Sequence, residues 1–258
     1  MTRRPMMAAN WKMNKLVGEA RDYVEQLLPR IKGAEGVDVA IFAPFTCLPE
    51  VARMTRETPV VAGAQDFYYE DSGAFTGEVS APMLEDVGAG AVIVGHSERR
   101  ELFGESDETV ARKTARAISA GLLPVVCVGE TKEERDAGSM WEKVSGQVRA
   151  VFEQLDAGET GGGAIVFAYE PIWAIGTGET ATPEDAQDAI GRIRGLLREL
   201  GGEDFAREIR ILYGGSIKPG NVDDIMAQED VDGGLVGGAS LEAESFAELV
   251  NGAAEKAG

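Results

Sequence analysis

Eight short apolar runs, many rich in β-branched residues, recur along the chain at 6–10, 37–43, 60–64, 91–95, 123–129, 164–169, 209–213 and 231–237. Each run is close to continuous in hydrophobicity rather than alternating. Strands buried on both faces have that pattern, so the runs predict a parallel sheet covered by helices. Between them lie polar stretches with apolar residues at helical spacing. Tyr23, Val24, Leu27, Leu28 and Ile31 share one face of a helix predicted over 20–31. Thr131 and Glu134 form a capping box that opens a helix running towards Leu155. Thr182, Pro183, Glu184 and Asp185 supply an N-cap residue, a proline at the first helical position and acids in the first turn. Lys218-Pro219 opens a short helix towards Ala227, and a last helix is predicted over 241–256.

Eight strands alternating with eight helices in 258 residues is the arithmetic of a closed α/β architecture, the (β/α)8 TIM barrel, as a single domain over residues 1–258. An open doubly wound sheet is disfavoured. The first strand runs into Asn10-Trp11-Lys12, with no Gly-x-Gly-x-x-Gly after it. The glycine cluster at 161–163 is expected as a loop before the sixth strand, not as a domain boundary.

Composition narrows the function classes. Hydrophobic residues make up 44% and charged residues 27%, and no run approaches the ~18 apolar residues of a membrane span. The N-terminus carries no apolar signal region, so a cytoplasmic location is expected. Cys47 and Cys127 fall in different apolar segments, which argues against a disulfide framework. A net charge of −19 disfavours nucleic acid and anionic membrane as partners. An anionic small molecule would need local donors. One histidine and no Cys/His cluster leave few transition-metal ligands, so no metal is expected.

Candidate chemistry sits at the strand ends. Glu170 closes the sixth run, His96 follows the fourth through Gly95, and Lys12 follows the first. A lone histidine, a strand-end glutamate or a lysine after a strand is ordinarily structural or solvated. In a barrel, however, the carboxyl-end loops share one mouth, which would bring Asn10, Lys12, His96, Glu170, Ser216, Gly237 and Gly238 together. Gly214-Gly215-Ser216 and Gly237-Gly238 would offer exposed backbone N–H groups after strands seven and eight, a common phosphate position in barrels.

Five segments carry a resemblance: Ala-Asn-Trp-Lys-Met-Asn (9–14), Gly-His-Ser-Glu-Arg-Arg (95–100), Tyr-Glu-Pro-Ile-Trp-Ala-Ile-Gly-Thr-Gly (169–178), Tyr-Gly-Gly-Ser (213–216) and Val-Gly-Gly-Ala-Ser-Leu (236–241). In this order, across the whole chain, they resemble the triosephosphate isomerase family. The resemblance implies an aldose–ketose isomerase of glycolysis and gluconeogenesis. It would interconvert dihydroxyacetone phosphate and D-glyceraldehyde 3-phosphate through an enediolate, with no cofactor. Such a reaction needs a base that reaches two adjacent carbons and a donor that steadies charge on two oxygens.

Glu170 suits the base, and burial under a closing loop is expected to make it more basic. His96 suits the electrophile. A backbone N–H aimed at one ring nitrogen would keep the ring neutral well below its ordinary value of about 6.5. Lys12 supplies a fixed positive charge. The resemblance further implies Asn10 beside Lys12, with Ser97, Glu98 and Cys127 around the reacting groups. It implies a lid of Pro171, Ile172, Trp173, Ala174, Ile175, Gly176, Thr177 and Gly178, with Gly176 completing the phosphate grip. Tyr213 and Ser216 would hold the closed lid, and Glu130 would contact Trp173 in the open one. Glu179-Thr180-Ala181 stands where the family often has Lys-Thr-Ala.

The resemblance also implies that the long polar loop over 65–78 docks into a second copy, giving a homodimer with Met13, Gln65 and Thr76 at the contact. Asp66 replaces the asparagine usual there. Two other readings compete: Schiff-base aldol chemistry on Lys12, and an inactive barrel kept as a binding or assembly module.

Overall fold

A computed structural model describes residues 3–155, 161–174 and 181–257. Eight strands close in chain order into one parallel barrel: β1 (Met6–Asn10), β2 (Asp38–Ala43), β3 (Val60–Ala64), β4 (Ala91–Val94), β5 (Leu123–Glu130), β6 (Val166–Pro171), β7 (Arg210–Tyr213) and β8 (Gly233–Val236). The ring shuts where Met6 pairs with Gly233 and Ala9 with Val236. Around it lie α1 (Val17–Arg30), α2 (Leu48–Thr55), α3 (Ala81–Asp86), α4 (Ser97–Phe103), α5 (Asp107–Ser119), α6 (Lys132–Asp136), α7 (Met140–Glu153), α8 (Pro183–Glu208), α9 (Val222–Met226) and α10 (Ala243–Ala257).

All eight expected strands form, with ends within two residues of the expected ones. The described residues hold ten helices rather than eight. The helix predicted from Thr131 to Leu155 is split at Gly138, whose φ of +74° is left-handed. The segment after β4 is likewise divided at Gly104, with φ +71°. The helix expected to open at Lys218-Pro219 begins at Val222 instead, because Lys218 N–H donates to Asn221 Oδ1 at 2.9 Å and holds a turn.

The pleat sorts the strand residues into two cores. Met6, Ala8, Ala40, Phe42, Ala91, Ile93, Val125, Cys127, Val166, Ala168, Leu212 and Leu235 fill the barrel. Their neighbours in sequence, such as Met7, Ile41, Val126 and Phe167, face the helices. β3 offers little inward bulk: a Cβ on Gly63 would lie 2.5 Å from the Phe42 ring, so the glycine lets that ring fill the space.

The same period places the chemistry. After Met6 and Ala8 the next inward residue is Asn10; after Val166 and Ala168 it is Glu170. Polar groups therefore cap an apolar barrel at the carboxyl ends of its strands. At the opposite end, buried Arg194 donates to Asp230, Asp232 and the carbonyls of Ala206 and Ile209, tying α8 to the β7–β8 connection.

Candidate active site

Beyond β1, Asn10 Oδ1 accepts the Lys12 N–H at 3.0 Å, and Lys12 takes a left-handed φ of +53°. A non-glycine residue there costs about 1–2 kcal/mol. The loop is held in place by Gln65, whose Nε2 donates to Lys12 O at 2.9 Å and Phe42 O at 3.0 Å. Lys12 Nζ then reaches Glu98 Oε1 at 2.6 Å.

Beyond β4, Gly95 turns with φ +69°, and a Cβ there would sit 2.6 Å from Val110. The turn makes His96 the N-cap of α4. Glu98 N–H donates to His96 Nδ1 at 3.2 Å, which requires an unprotonated Nδ1 and leaves the ring proton on Nε2. Nε2 lies 2.9 Å from Glu170 Oε1, and the other carboxylate oxygen accepts Ser97 N–H at 2.9 Å. His96, Ser97 and Glu170 are all buried.

This geometry sets the resting state of Glu170 and corrects the direction expected for His96. Burial, the largest influence on Glu170, raises its pKa as anticipated. The charge and hydrogen bond of His96, the Ser97 N–H and the charge of Lys12 together outweigh it, so the carboxyl lies below its ordinary value. For His96, burial is again the largest influence and pulls the ring down, but the adjacent Glu170 carboxylate carries it above 6.5 rather than below. The hydrogen bond into Nδ1 opposes that pull, because a second ring proton would face the Glu98 N–H. The tautomer is as anticipated; the direction of the shift is not.

Cys127 lies within the barrel beside Glu170. Burial first, then the carboxylate's charge, push its thiol well above the ordinary value, which suits packing and not nucleophilic attack. The mouth encloses a cavity of about 390 Å³. Asn10, Lys12, His96, Glu170, Gly214, Gly215, Ser216, Gly237 and Gly238 all line it.

The cavity also takes in Asn14, Leu235 and Lys218, which sequence reasoning did not single out. Leu235 could have been found, since the two-residue period points it inward. Asn14, whose Nδ2 donates to Trp11 O at 2.7 Å, carried no pattern that would reveal it. Of the residues expected to form a lid, Pro171 ends β6 and Ile172, Trp173 and Ala174 make a single turn, in which Trp173 Nε1 donates to Glu130 Oε1 at 2.9 Å. Ile175, Gly176, Thr177, Gly178, Glu179 and Thr180 lie outside the described residues. Tyr213 OH is buried without a hydrogen-bond partner among the described residues.

A second cavity of about 280 Å³ adjoins the first, between Lys12, Met13, Phe45, Gln65, Glu98 and Phe103. Met13, Leu16, Leu102 and Phe103 are exposed apolar side chains, and Thr76 stands exposed on the long loop. Asp66 is matched by cations, with Lys113 Nζ at 2.6 Å and Arg99 Nη2 at 2.9 Å.

Comparison with known proteins gives a consistent result. A family model described as triosephosphate isomerase matches residues 5–253. The chain is 75% identical over 252 residues to a protein of Rubrobacter xylanophilus named triosephosphate isomerase, covering 97% of this chain and 98% of that one. Proteins of the same name from Roseiflexus castenholzii and Chloroflexus aurantiacus are each 51% identical. Those matches span 249 and 247 residues, covering 96% of this chain in both cases and 97% and 98% of the relatives.

Proposed function

The chain belongs to the triosephosphate isomerase family, and we propose that it interconverts dihydroxyacetone phosphate and D-glyceraldehyde 3-phosphate by proton transfer through an enediolate. One observation supports the assignment of roles most strongly. A buried carboxylate, Glu170, and the only imidazole in the chain, His96, meet at 2.9 Å on the wall of a cavity that Lys12 and two glycine pairs also line.

Glu170 is the base. In the resting site its oxygens are occupied by Ser97 N–H and His96 Nε2, which makes it a weak one. To take a proton from carbon it must give up these donors. The pull of those donors is then lost, and burial, the largest influence on it, raises its basicity. His96 donates from Nε2 to the substrate oxygens, its tautomer held by Glu98 N–H. Lys12 provides the positive charge that a dianion needs in a chain of net charge −19. Asn10 supports its loop. Ser216, Gly237 and Gly238 grip the phosphate, with Gly176 completing the grip. The lid that starts at Pro171 keeps water from the enediolate.

The protein works as a homodimer in the cytoplasm. Exposed Met13, Leu102 and Phe103 near the mouth support the dimer, with Gln65 and Thr76 on the neighbouring loop. Two unpaired buried thiols, Cys47 and Cys127, support the compartment.

A coupled assay of dihydroxyacetone phosphate turnover tests the function. The wild-type protein should form glyceraldehyde 3-phosphate without added metal or cofactor, and Lys12→Met should raise KM by about 10²-fold, as expected for loss of a charge-assisted phosphate contact. Absence of product with the wild-type protein refutes the assignment. Sedimentation at assay concentration tests the dimer; a fully active monomer refutes that part.

A further inference from the structure

The short helix α6 carries a group with no role in the chemistry described so far. Glu130 ends β5, Thr131 caps α6, and Arg135 lies five residues beyond Glu130. The Thr131–Glu134 capping box fixes this turn from both sides, through Glu134 N–H to Thr131 Oγ1 at 3.2 Å and Thr131 N–H to Glu134 Oε2 at 2.8 Å. Arg135 is therefore presented at a defined place.

Its guanidinium touches three groups. Nη1 lies 3.3 Å from Glu130 Oε1, the same oxygen that accepts Trp173 Nε1 and, at 3.0 Å, Tyr169 OH. The guanidinium also lies over the Trp173 ring, 4.6 Å from its centroid. Nη2 lies 2.8 Å from Asp185 Oδ1. The second oxygen of Asp185 accepts Thr182 N–H at 3.0 Å and Thr182 Oγ1 at 3.1 Å, capping α8. One side chain thus touches Trp173, three residues after Glu170, and also the start of the helix on the far side of residues 175–180.

We propose that Arg135 is a positioning residue, a brace between the Trp173 end and the Asp185 end of this stretch that sets where Trp173, and with it the chain carrying Glu170, comes to rest. Its consequence for turnover rests on the function proposed above; its consequence for Trp173 does not. Without the brace, Trp173 keeps its bond to Glu130 but loses the cation over its ring and the tie to α8. The approach of Glu170 to substrate then becomes less well defined.

Two variants separate the brace from a general packing role. Arg135→Met keeps most of the side-chain bulk and removes the charge. Asp185→Asn leaves an oxygen to accept from Thr182, so the cap on α8 survives, while the ion pair is lost. The three tryptophans, Trp11, Trp141 and Trp173, can be followed together by fluorine NMR of 5-fluorotryptophan protein, with Trp173→Phe giving the assignment. Both variants should move or broaden the Trp173 resonance, leave Trp11 and Trp141 in place, and lower kcat/KM by about 5- to 50-fold. The double variant should be no worse than the more affected single one, because both remove the same link. Arg135→Lys should recover part of the loss.

A Trp173 resonance that stays in place in both single variants, a kcat/KM within twofold of wild type, or additive losses in the double variant would each overturn the brace. A wild-type protein without isomerase activity would instead overturn the functional reading and leave the NMR test of the brace intact.

Discussion

Shortening Glu170 by one methylene isolates geometry from chemistry. In Glu170→Asp the carboxylate is retained, but it retracts by about 1.5 Å, the length of one C–C bond. Its present distances of 2.9 Å to His96 Nε2 and 2.9 Å to Ser97 N would open towards about 4.4 Å, beyond hydrogen-bonding reach. The backbone cannot follow. Glu170 is paired in register with Gly129, where even a Cβ would collide with the Glu170 carbonyl, so β5 and β6 already touch. A misplacement of about 1 Å costs on the order of 10²-fold, so this change should lower kcat by about 10²- to 10³-fold, or about 3–4 kcal/mol of barrier. KM should change little, because the proposed phosphate grip is formed by Lys12, Ser216 and the glycines rather than by residue 170. Steady-state kinetics in the coupled assay give both constants. A loss in kcat of less than about tenfold, or a loss confined to KM, would refute the assignment of Glu170 as a base whose position is critical.

The remaining predictions concern the ring, the turn and the far end of the barrel. In Glu170→Gln the carboxylate that raises His96 is gone and burial is left to dominate, so the nitrogen NMR titration of the single histidine should move to lower pH than in wild type; an unmoved midpoint would refute the pairing. The linkage has a sign. Stability from the raised His96 is complete below about pH 6.5 and is lost as pH rises through its folded value; that from the lowered Glu170 is complete above about pH 4.5 and is lost on acidification. The stability difference between wild type and Glu170→Gln in urea titrations should therefore peak between about pH 4.5 and 6.5. Gly95→Ala forces a left-handed φ on a residue whose Cβ meets Val110 at 2.6 Å, so it should cost about 1–3 kcal/mol by calorimetry and lower kcat by displacing His96. Unchanged Tm and kcat would show that the turn tolerates the change. Arg194→Met leaves the buried Asp232 paired with Arg3 but removes its second guanidinium and the donors to the Ala206 and Ile209 carbonyls, so it should cost about 1–3 kcal/mol, with kcat per folded molecule unchanged because the cluster lies at the opposite end of the barrel.

Much of this molecule was legible along the chain. The eight strands and the caps at Thr131 and Thr182 are local: each depends on hydrophobic period or on a side chain within three residues, so sequence alone determined them. The five motifs likewise named Lys12, His96 and Glu170, and their places at the strand ends put Asn10 and Glu170 at the barrel mouth. Tertiary structure decided what depends on distance between remote segments. Residues 97 and 170 are 73 apart in sequence, yet the fold brings Ser97 N–H, beside the His96 ring and the Lys12 charge, against the Glu170 carboxylate, and together these hold it below its ordinary value. Gln65, expected at an interface, also holds the Lys12 loop of its own chain, a contact that only the fold reveals. Nothing along the chain marks Arg135, whose partners Asp185 and Trp173 reach it only in the folded structure. Propensity and period act over a few residues and are written in order along the chain. The charge state of a buried group is set by whichever donors and carboxylates the closed barrel brings within about 3–4 Å, and that list exists only once the chain has folded.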